Sequence, residues 1–186
     1  MNVNTILFIG KPGSGKGTQA KLLSEKTTWH TISSGDLFRA LAKEDSPVGH
    51  KMQKELNEGL LMPDWFAAYL FQKSVLGLSP DAGVLFDGFG RKAPEAKIVL
   101  DVLSWLGRTV HVVHIKVSDE NIIDRLTKRR DVSGREDDNS IEKRLEEYRL
   151  FTDPAIEVFR EAGVLIEVDG DRPIETIHED IVSRLA

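Results

Sequence analysis

A glycine-rich turn with one lysine follows the first apolar run of the chain. Residues 9–20 read IGKPGSGKGTQA, and Gly10, Gly15 and Lys16 have the G-x-x-x-x-G-K spacing of a P-loop. Glycines let the backbone curl with its N–H groups pointing inward, and the helix expected to begin near Lys16 adds the positive end of its dipole. The lysine can reach the β- and γ-phosphates. The segment therefore predicts binding of a nucleoside triphosphate, which many unrelated activities share.

The stretch VLFDGFGRKAPEA at 84–96 is the second candidate for chemistry. Asp87 ends an otherwise apolar run, and Arg91 follows it after GFG. Ligands of α/β sheets bind at the carboxyl ends of the strands, so the aspartate is expected beside the P-loop, where it can hold magnesium through water. A simple Asp-Gly turn is the alternative; we prefer the metal role because the aspartate closes an apolar strand. The arginine suits bidentate contact with phosphate.

Apolar runs alternate with helical patterns and predict the elements that position these residues. Five apolar runs read as buried strands: 6–9, 30–32, 84–86, 110–117 and 164–168. This alternation predicts an α/β fold, a P-loop three-layer α/β/α sandwich with a parallel five-stranded sheet. The purely helical pattern from 35 to 76 predicts a flap beside the sheet. Trp65 and Trp105 lie in helical patterns and are expected to pack.

Composition limits the class of protein. A chain of 186 residues, 40% hydrophobic and 30% charged, is typical of one globular domain, 1–186. A net charge of -5 argues against a nucleic-acid or anionic-membrane surface. The lack of cysteine removes disulfides and thiolate-bound zinc and suits a reducing compartment. With no signal-peptide pattern and no apolar stretch of membrane-spanning length, a cytoplasmic location is expected.

Several segments, in order along the chain, resemble the motifs of one family. GKPGSGKGT, with its K-G-T ending, is similar to the P-loop of the adenylate kinase family of nucleoside monophosphate kinases. The other matching segments are ISSGDLFRA (32–40), GLLMPD (59–64), FDGFGR (86–91), HIKVSDENIIDRLTKRR (114–130), SGREDDN (133–139) and VDGDRP (168–173). The resemblance spans nearly the whole chain, and its specificity lies in the combination. Because only RDVSG separates Arg129 from Arg135, the chain resembles the short-lid form.

The resemblance implies reversible transfer of the γ-phosphoryl group of ATP to AMP, giving two ADP. It also implies Mg²⁺ without zinc, a monophosphate-binding flap at 33–62 and a short lid at 130–138. The partners would be ATP and AMP, with no nucleic acid or membrane, and the protein would be a monomer. Because the acceptor oxygen is already anionic, the reaction needs cations that position two polyanions rather than a general base.

The resemblance also assigns roles to individual residues. The catalytic cations would be Lys16, Arg91, Arg129, Arg135 and Arg144. ATP would meet Gly13, Ser14, Gly15, Lys16, Gly17, Thr18, Arg125, Arg129 and Arg172. AMP would meet Ser34, Arg39, Leu60, Leu61, Met62, Gly88, Phe89, Gly90, Arg91, Glu95, Arg135 and Arg144. Magnesium would be held by Asp87 through water and by Thr18, since Gly17 stands where a P-loop usually has a hydroxyl. Taken alone, Arg144 could equally be structural.

Two residues depart from the family pattern. Gly90 stands where the family has proline, which loosens the turn before Arg91. Glu95 stands at the family's glutamine, which reads adenine in the acceptor. An ionised glutamate offers only acceptors, which suit guanine's adjacent donors, although Glu95 could equally occupy just a favourable first-turn position of a helix. A kinase for GMP, UMP or CMP and a weakly active adenylate-binding relative are therefore the alternatives to adenylate kinase.

Overall fold

Five parallel strands form one sheet in the computed structural model, which describes residues 3–133 and 140–185. The strands are β1 Thr5–Ile9, β2 His30–Ser33, β3 Val84–Asp87, β4 Val110–Lys116 and β5 Leu165–Asp169. Their order across the sheet is β2-β3-β1-β4-β5, and every neighbouring pair is parallel. The predicted α/β fold with a parallel five-stranded sheet is confirmed.

Helices cover both faces of this sheet, as a parallel sheet requires. They are α1 Lys16–Thr27, α2 Ser34–Ala42, α3 Pro47–Asn57, α4 Asp64–Leu76, α5 Ala93–Trp105, α6 Asp119–Ser133, α7 Ile141–Glu147, α8 Asp153–Glu161 and α9 Ile174–Leu185, with a π-helical segment at Tyr148–Thr152. One core packs α4, α5 and α8 against the sheet, and a second packs α1, α6 and α9 against the opposite face. The result is three layers around two apolar cores.

Strand register brings the candidate site residues to one edge of the sheet. Asp87, at the end of β3, pairs with Phe8 of β1 on one side and with Ser33 of β2 on the other. The loops after β1, β2 and β3 therefore leave the sheet next to one another. This edge holds the P-loop, the start of α2 and the segment that follows Asp87.

Helices α2 and α3 form a small unit beside this edge. Their buried residues Ala42 and Met52 pack with Met62, just beyond α3, in a separate apolar cluster. Each helix begins at a serine cap, because Ser33 accepts a hydrogen bond from Asp36 N and Ser46 accepts one from Gly49 N. This arrangement is the basis for the flap, whose limits of 33–62 stay a prediction.

The expectation that both tryptophans pack is wrong. Trp65 is 70% exposed and Trp105 is 79% exposed. Trp65 lies in the first turn of α4, where its ring is close to the partly buried Phe66, and Trp105 is the last residue of α5. Helical periodicity places a side chain poorly at helix ends, where the chain leaves the packed face. Within the described residues, no helix is both long and apolar enough to cross a membrane.

Candidate active site

The P-loop connects the buried strand β1 to helix α1. Gly10 has no room for a side chain, since a Cβ there would lie 2.7 Å from the carbonyl oxygen of Ile115. Gly15 precedes α1 with φ of 93°, in the left-handed region that favours glycine, and no side chain caps the helix. The first N–H groups of α1 therefore stay available to an anion.

Lys16 is folded onto its own loop. Its Nζ donates to the carbonyl oxygens of Gly10 at 2.8 Å and Lys11 at 2.7 Å, and lies 3.3 Å from Ser14 Oγ. Only 8% of the residue is exposed. These carbonyl partners hold the ammonium at the floor of the loop, directly beside the helix start that can bind phosphate.

The electrostatic surroundings of Lys16 are predominantly positive. Burial lowers the pKa of Lys16 to about 7; Asp87 opposes this shift, while Arg91, Arg144 and Arg129 reinforce it. Burial is the main cause of this shift, and the three guanidinium groups that add to it would stabilise an anion bound here. The P-loop thus combines backbone donors with converging positive charge.

A cavity of about 460 Å³ opens over the P-loop, within the usual size range of ligand pockets. We call it the donor cavity. Its walls come from the P-loop, α2 and α6 and from the ends of β2 and β3: Pro12, Gly13, Gly15, Lys16, Gly17, Thr18, Ser33, Gly35, Asp36, Arg39, Asp87, Arg91, Arg125, Arg129 and Arg144. Most of the residues predicted to meet ATP lie in this set.

Asp87 and Thr18 fit a magnesium site in the donor cavity. Asp87 Oδ1 is buried without a hydrogen-bond partner among the described residues, and its Oδ2 lies 3.5 Å from where a Cβ on Gly17 would stand. An unsatisfied carboxylate oxygen beside a phosphate cradle is a suitable ligand for a hard cation. Mg²⁺ commonly takes one or two protein oxygens and fills its octahedron with water and phosphate, which is consistent with this small donor set.

A second cavity adjoins the first, between α2, the end of α3, the start of α5 and the segment around Tyr148. We call it the acceptor cavity. It is lined by Gly10, Pro12, Ser34, Gly35, Phe38, Arg39, Leu56, Gly59, Leu60, Leu61, Met62, Ala67, Gly88, Arg91, Glu95, Arg144, Glu147, Tyr148 and Thr152. Its apolar wall of leucine, methionine and phenylalanine suits the face of a nucleobase, while its arginines lie towards the donor cavity.

Arg39, Arg91 and Arg144 line both cavities. Arg91 is oriented by its own turn, because its Nε donates to the Gly88 carbonyl oxygen at 2.7 Å. Ser34 Oγ donates to the same carbonyl at 2.8 Å, which joins the start of α2 to the β3 loop. The three guanidinium groups therefore lie at the boundary between the two cavities.

Phe89 and Gly90, both predicted to meet AMP, shape the turn after β3 rather than offer side chains to the cavity. Phe89 is buried in an aromatic cluster with Phe71 and Phe86, so only its main chain is near the site. Gly90 has φ of 67°, and a Cβ there would lie 2.8 Å from Phe159 Cζ. Glycine at 90 is thus fitted to a specific conformation, one that proline cannot adopt, rather than simply loosening the turn.

The predicted lid and adenine-side residues are only partly described. Arg125 and Arg129 line the donor cavity. Arg125 Nη2 donates to the Gly170 carbonyl oxygen at 2.8 Å, which ties α6 to the segment carrying Arg172. The Arg172 side chain itself bonds Asp180 at 2.5 Å. Arg135 lies outside the described residues, as do the lid positions 134–138.

Residues around the π-helical segment were missed by sequence reasoning. Glu147, Tyr148 and Thr152 line the acceptor cavity, and Glu147 Oε2 accepts a hydrogen bond from Leu61 N at 3.1 Å. Ser140 Oγ donates to the Asn57 carbonyl oxygen at 2.8 Å. These contacts attach the end of the α2–α3 unit to α7. A buried glutamate in IEKRLEEYR looked like part of a solvated helix, so no sequence signal marked it.

Comparison with known proteins agrees with this geometry. The family model described as adenylate kinase matches residues 8–164. The chain belongs to the adenylate kinase family. It is 38% identical over 175 residues to an adenylate kinase of Porphyromonas gingivalis, covering 92% of this chain and 90% of that one. It is 36% identical over 186 residues to an adenylate kinase of Hyphomonas neptunium, covering 98% of each.

Family membership accounts for the paired cavities. Phosphoryl transfer between ATP and AMP is the activity of the adenylate kinase family, and this chain is accordingly a nucleoside monophosphate kinase. Members of the family use Mg·ATP as the phosphoryl donor. The predicted identity of the family, its fold and its activity is therefore confirmed, while the roles of individual residues stay predictions.

Proposed function

We propose that ATP and AMP bind at the same time, one in each cavity, and that the γ-phosphoryl group passes between them beside Arg39, Arg91 and Arg144. The observation that carries this proposal is that these three arginines line both cavities. The transferred group develops no strong covalent bonds to protein, so positioning and positive charge do most of the catalysis. Shared arginines provide both at the point of transfer.

On the donor side, the P-loop N–H groups bind the β- and γ-phosphates, and Lys16 leaves its carbonyl partners to pair with them. Arg129 supplies further charge from α6, and Arg125 packs near the adenine beside the 170–172 segment. Asp87, through water, and Thr18 would hold Mg²⁺, which would neutralise charge on the phosphates when bound. The side chains of the donor cavity thereby keep the γ-phosphate aimed at the acceptor.

On the acceptor side, Arg91 and Arg39 hold the monophosphate, and Ser34 supports Arg91 by fixing the Gly88 carbonyl. The base lies along the wall formed by residues 60–62, with its polar edge towards Glu95. The acceptor oxygen is already anionic, so no side chain has to remove a proton. Closure of the predicted lid, 130–138 with Arg135, excludes water and limits hydrolysis of ATP.

We also expect the enzyme to act as a monomer in the cytoplasm, with small nucleotides as its partners. The acidic net charge of -5 and the absence of cysteine are consistent with this expectation. Light scattering at micromolar concentration tests it, and a stable dimer would contradict the monomer.

The test is phosphoryl transfer from Mg·ATP to AMP, GMP, CMP and UMP in parallel assays at one pH. We expect AMP to be an acceptor. In Arg91→Met, kcat/KM for AMP should fall ten- to about a hundred-fold, because a hydrogen bond to a charged group contributes about 1.5–3 kcal/mol. Arg160→Met is the matched control, because Arg160 is exposed and pairs with Glu157 and Glu167 away from both cavities.

Absence of transfer to all four monophosphates, from protein that still binds ATP, would contradict the proposal. An equal loss of activity in Arg91→Met and Arg160→Met would contradict the role given to Arg91.

A further inference from the structure

Glu95 is the acceptor-cavity residue that departs from the family's glutamine. It is the third residue of α5 and only 3% exposed, and it lines the cavity between the leucine wall and Arg91. Glu95 therefore occupies the first-turn position that the sequence suggested, and it also lines the cavity in which an acceptor base is predicted to bind. A carboxyl group held in this position must present its oxygen atoms to whatever base the cavity binds.

One oxygen of Glu95 is already engaged. Oε2 accepts a hydrogen bond from Arg91 N at 3.0 Å, and this is the one hydrogen bond that the carboxyl group makes within the described part of the chain. The bond fixes Oε2 as an acceptor with a second lone pair still open to the ligand, and it leaves Oε1 entirely to the ligand. A proton on this carboxyl would therefore sit on Oε1, since the carbonyl-like oxygen is the better acceptor for the Arg91 N–H.

Both signs of charge surround this carboxyl group. Groups from every neighbouring element face it or its cavity: Asp64 at the start of α4, Arg91 and Lys92 before α5, Arg39 on α2, Arg144 and Glu147 on α7, and Tyr148 on the π-helical segment. Burial raises the pKa of Glu95 to about 7, against the lowering effect of the Arg91 N–H, Arg91 and Lys92. The neutral and ionised forms are both populated near neutral pH.

The two forms present different hydrogen-bonding patterns. A neutral carboxyl group has one donor and one acceptor, as glutamine has, and these match N1 and the N6 amino group of adenine. A carboxylate has acceptors only; it opposes the lone pair of adenine N1 but matches the adjacent N1–H and N2–H₂ donors of guanine. A buried polar atom without its partner weakens binding enough to decide between two bases.

We propose that the protonation state of Glu95 sets the acceptor base: the neutral carboxyl group selects AMP, and the carboxylate admits GMP. This inference rests on the proposed function, because it assigns the base of the same acceptor cavity. It follows that AMP binding above neutral pH takes up a proton from solution onto Glu95 Oε1, whereas GMP binding does not. Replacement by glutamine keeps the donor–acceptor pair and removes the titration.

The experiment measures kcat/KM for AMP and for GMP with Mg·ATP at about pH 6, 7 and 8. The ratio of the two values should fall at least about tenfold from pH 6 to 8 in the native enzyme, and should stay high and flat in Glu95→Gln. Phosphate ionisation near pH 6 is common to both acceptors and cancels in the ratio. Glu147→Gln is the matched control at the other cavity carboxylate, and it should keep the native pH dependence.

A native ratio that is flat with pH, or one whose slope disappears in Glu147→Gln but persists in Glu95→Gln, would overturn the inference while the kinase activity stands. Loss of transfer to every monophosphate would overturn the proposed function instead. Calorimetry tests the inference on Glu95 separately from the proposed function, because it measures binding without turnover. AMP binding at about pH 8, in buffers of different ionisation enthalpy, should take up close to one proton in the native protein and none in Glu95→Gln; equal uptake in both would overturn the inference.

Discussion

One buried ionisable side chain from each cavity, Lys16 in the donor cavity and Glu95 in the acceptor cavity, responds to burial in the opposite direction from the other. Burial lowers the pKa of Lys16 from 10.5 to about 7 and raises the pKa of Glu95 from 4.5 to about 7. Both side chains are pushed towards the neutral form. Their hydrogen bonds differ, however: within the described residues, Lys16 has three oxygen partners, whereas Glu95 accepts one bond from a backbone N–H. Charged groups of both signs lie near each of them.

On the proposed function, Lys16 and Glu95 would respond to different properties of a nucleotide. A phosphate that enters the donor cavity brings the negative charge that restores the ammonium form of Lys16. A base that enters the acceptor cavity is uncharged, so it selects between forms of Glu95 by its pattern of donors and acceptors. On the proposed function, Lys16 would therefore respond to the charge of a phosphate and Glu95 to the hydrogen-bonding pattern of the base, while Arg39 and Arg91 would hold the monophosphate.

The largest effect is expected at Lys16. Lys16→Met should lower kcat about 10²–10³-fold, because it removes a preorganised cation that faces the transferred group. Steady-state kinetics with AMP and Mg·ATP measures the loss. Lys21→Met, an exposed lysine on the same helix with only a 3.9 Å contact to Glu25, is the control and should stay within about twofold of native. A kcat for Lys16→Met within tenfold of native would contradict the role of Lys16 as the cation of the donor cavity that responds to phosphate.

The next effect concerns stability and pH. The pKa of Glu95 is higher in the folded protein, about 7, than its ordinary value of 4.5, so the folded state binds more protons between these values. The contribution of Glu95 to the free energy of unfolding should therefore fall as pH rises from 4.5 to about 7. Glu95→Gln lacks this loss. The free energy of unfolding of Glu95→Gln, relative to that of the native protein, should therefore rise by roughly 3 kcal/mol between about pH 4.5 and 8.

Urea unfolding of both proteins at the two pH values checks this expectation, and titrations elsewhere cancel in the difference. An advantage that does not change with pH would show that Glu95 ionises in the folded protein as it does in water.

The smallest expected effect is on stability and concerns Gly90, in the turn between β3 and α5. Gly90 and Gly163 have nearly equal φ, 67° and 70°, but a Cβ on Gly90 would meet Phe159 at 2.8 Å, whereas nothing lies within 4 Å of one on Gly163. Alanine at either position costs about 1 kcal/mol for the left-handed backbone. Gly90→Ala should cost about 1–2 kcal/mol more, because Phe159 must shift. Equal losses in chemical denaturation would mean that this turn is loosely packed.

Much of the fold was predictable because its signals are local. The apolar runs located all five strands to within about one residue at most ends, since buried parallel strands have few polar residues. The spacing of Gly10, Gly15 and Lys16 located the P-loop, because this signal also lies within a few consecutive residues. Asp87 was expected at the strand end beside it, and strand register brings it there.

The acceptor cavity was less predictable because distant segments build it. Glu147 and Tyr148 lie far along the chain from Leu61, and only tertiary packing brings them to one wall. Phe89 lies within a matching motif, yet its ring belongs to the core, because the side chain on this turn points away from the loop. The sequence suggested two alternative roles for Glu95, a first-turn position of a helix or contact with the acceptor base. In the folded protein the first turn of α5 itself lines the acceptor cavity, so one position is compatible with both roles.

The central claim, that two nucleotides occupy adjoining sites at once, is tested most directly by calorimetric titration of AMP into protein saturated with a non-hydrolysable magnesium–ATP analogue. The account predicts one equivalent of bound AMP with the analogue still in place, and the same result when the order of addition is reversed. Lys16→Met should lower the affinity for the ATP analogue far more than the affinity for AMP. Mutual displacement of the two nucleotides would contradict the account, because it would mean that both compete for a single site.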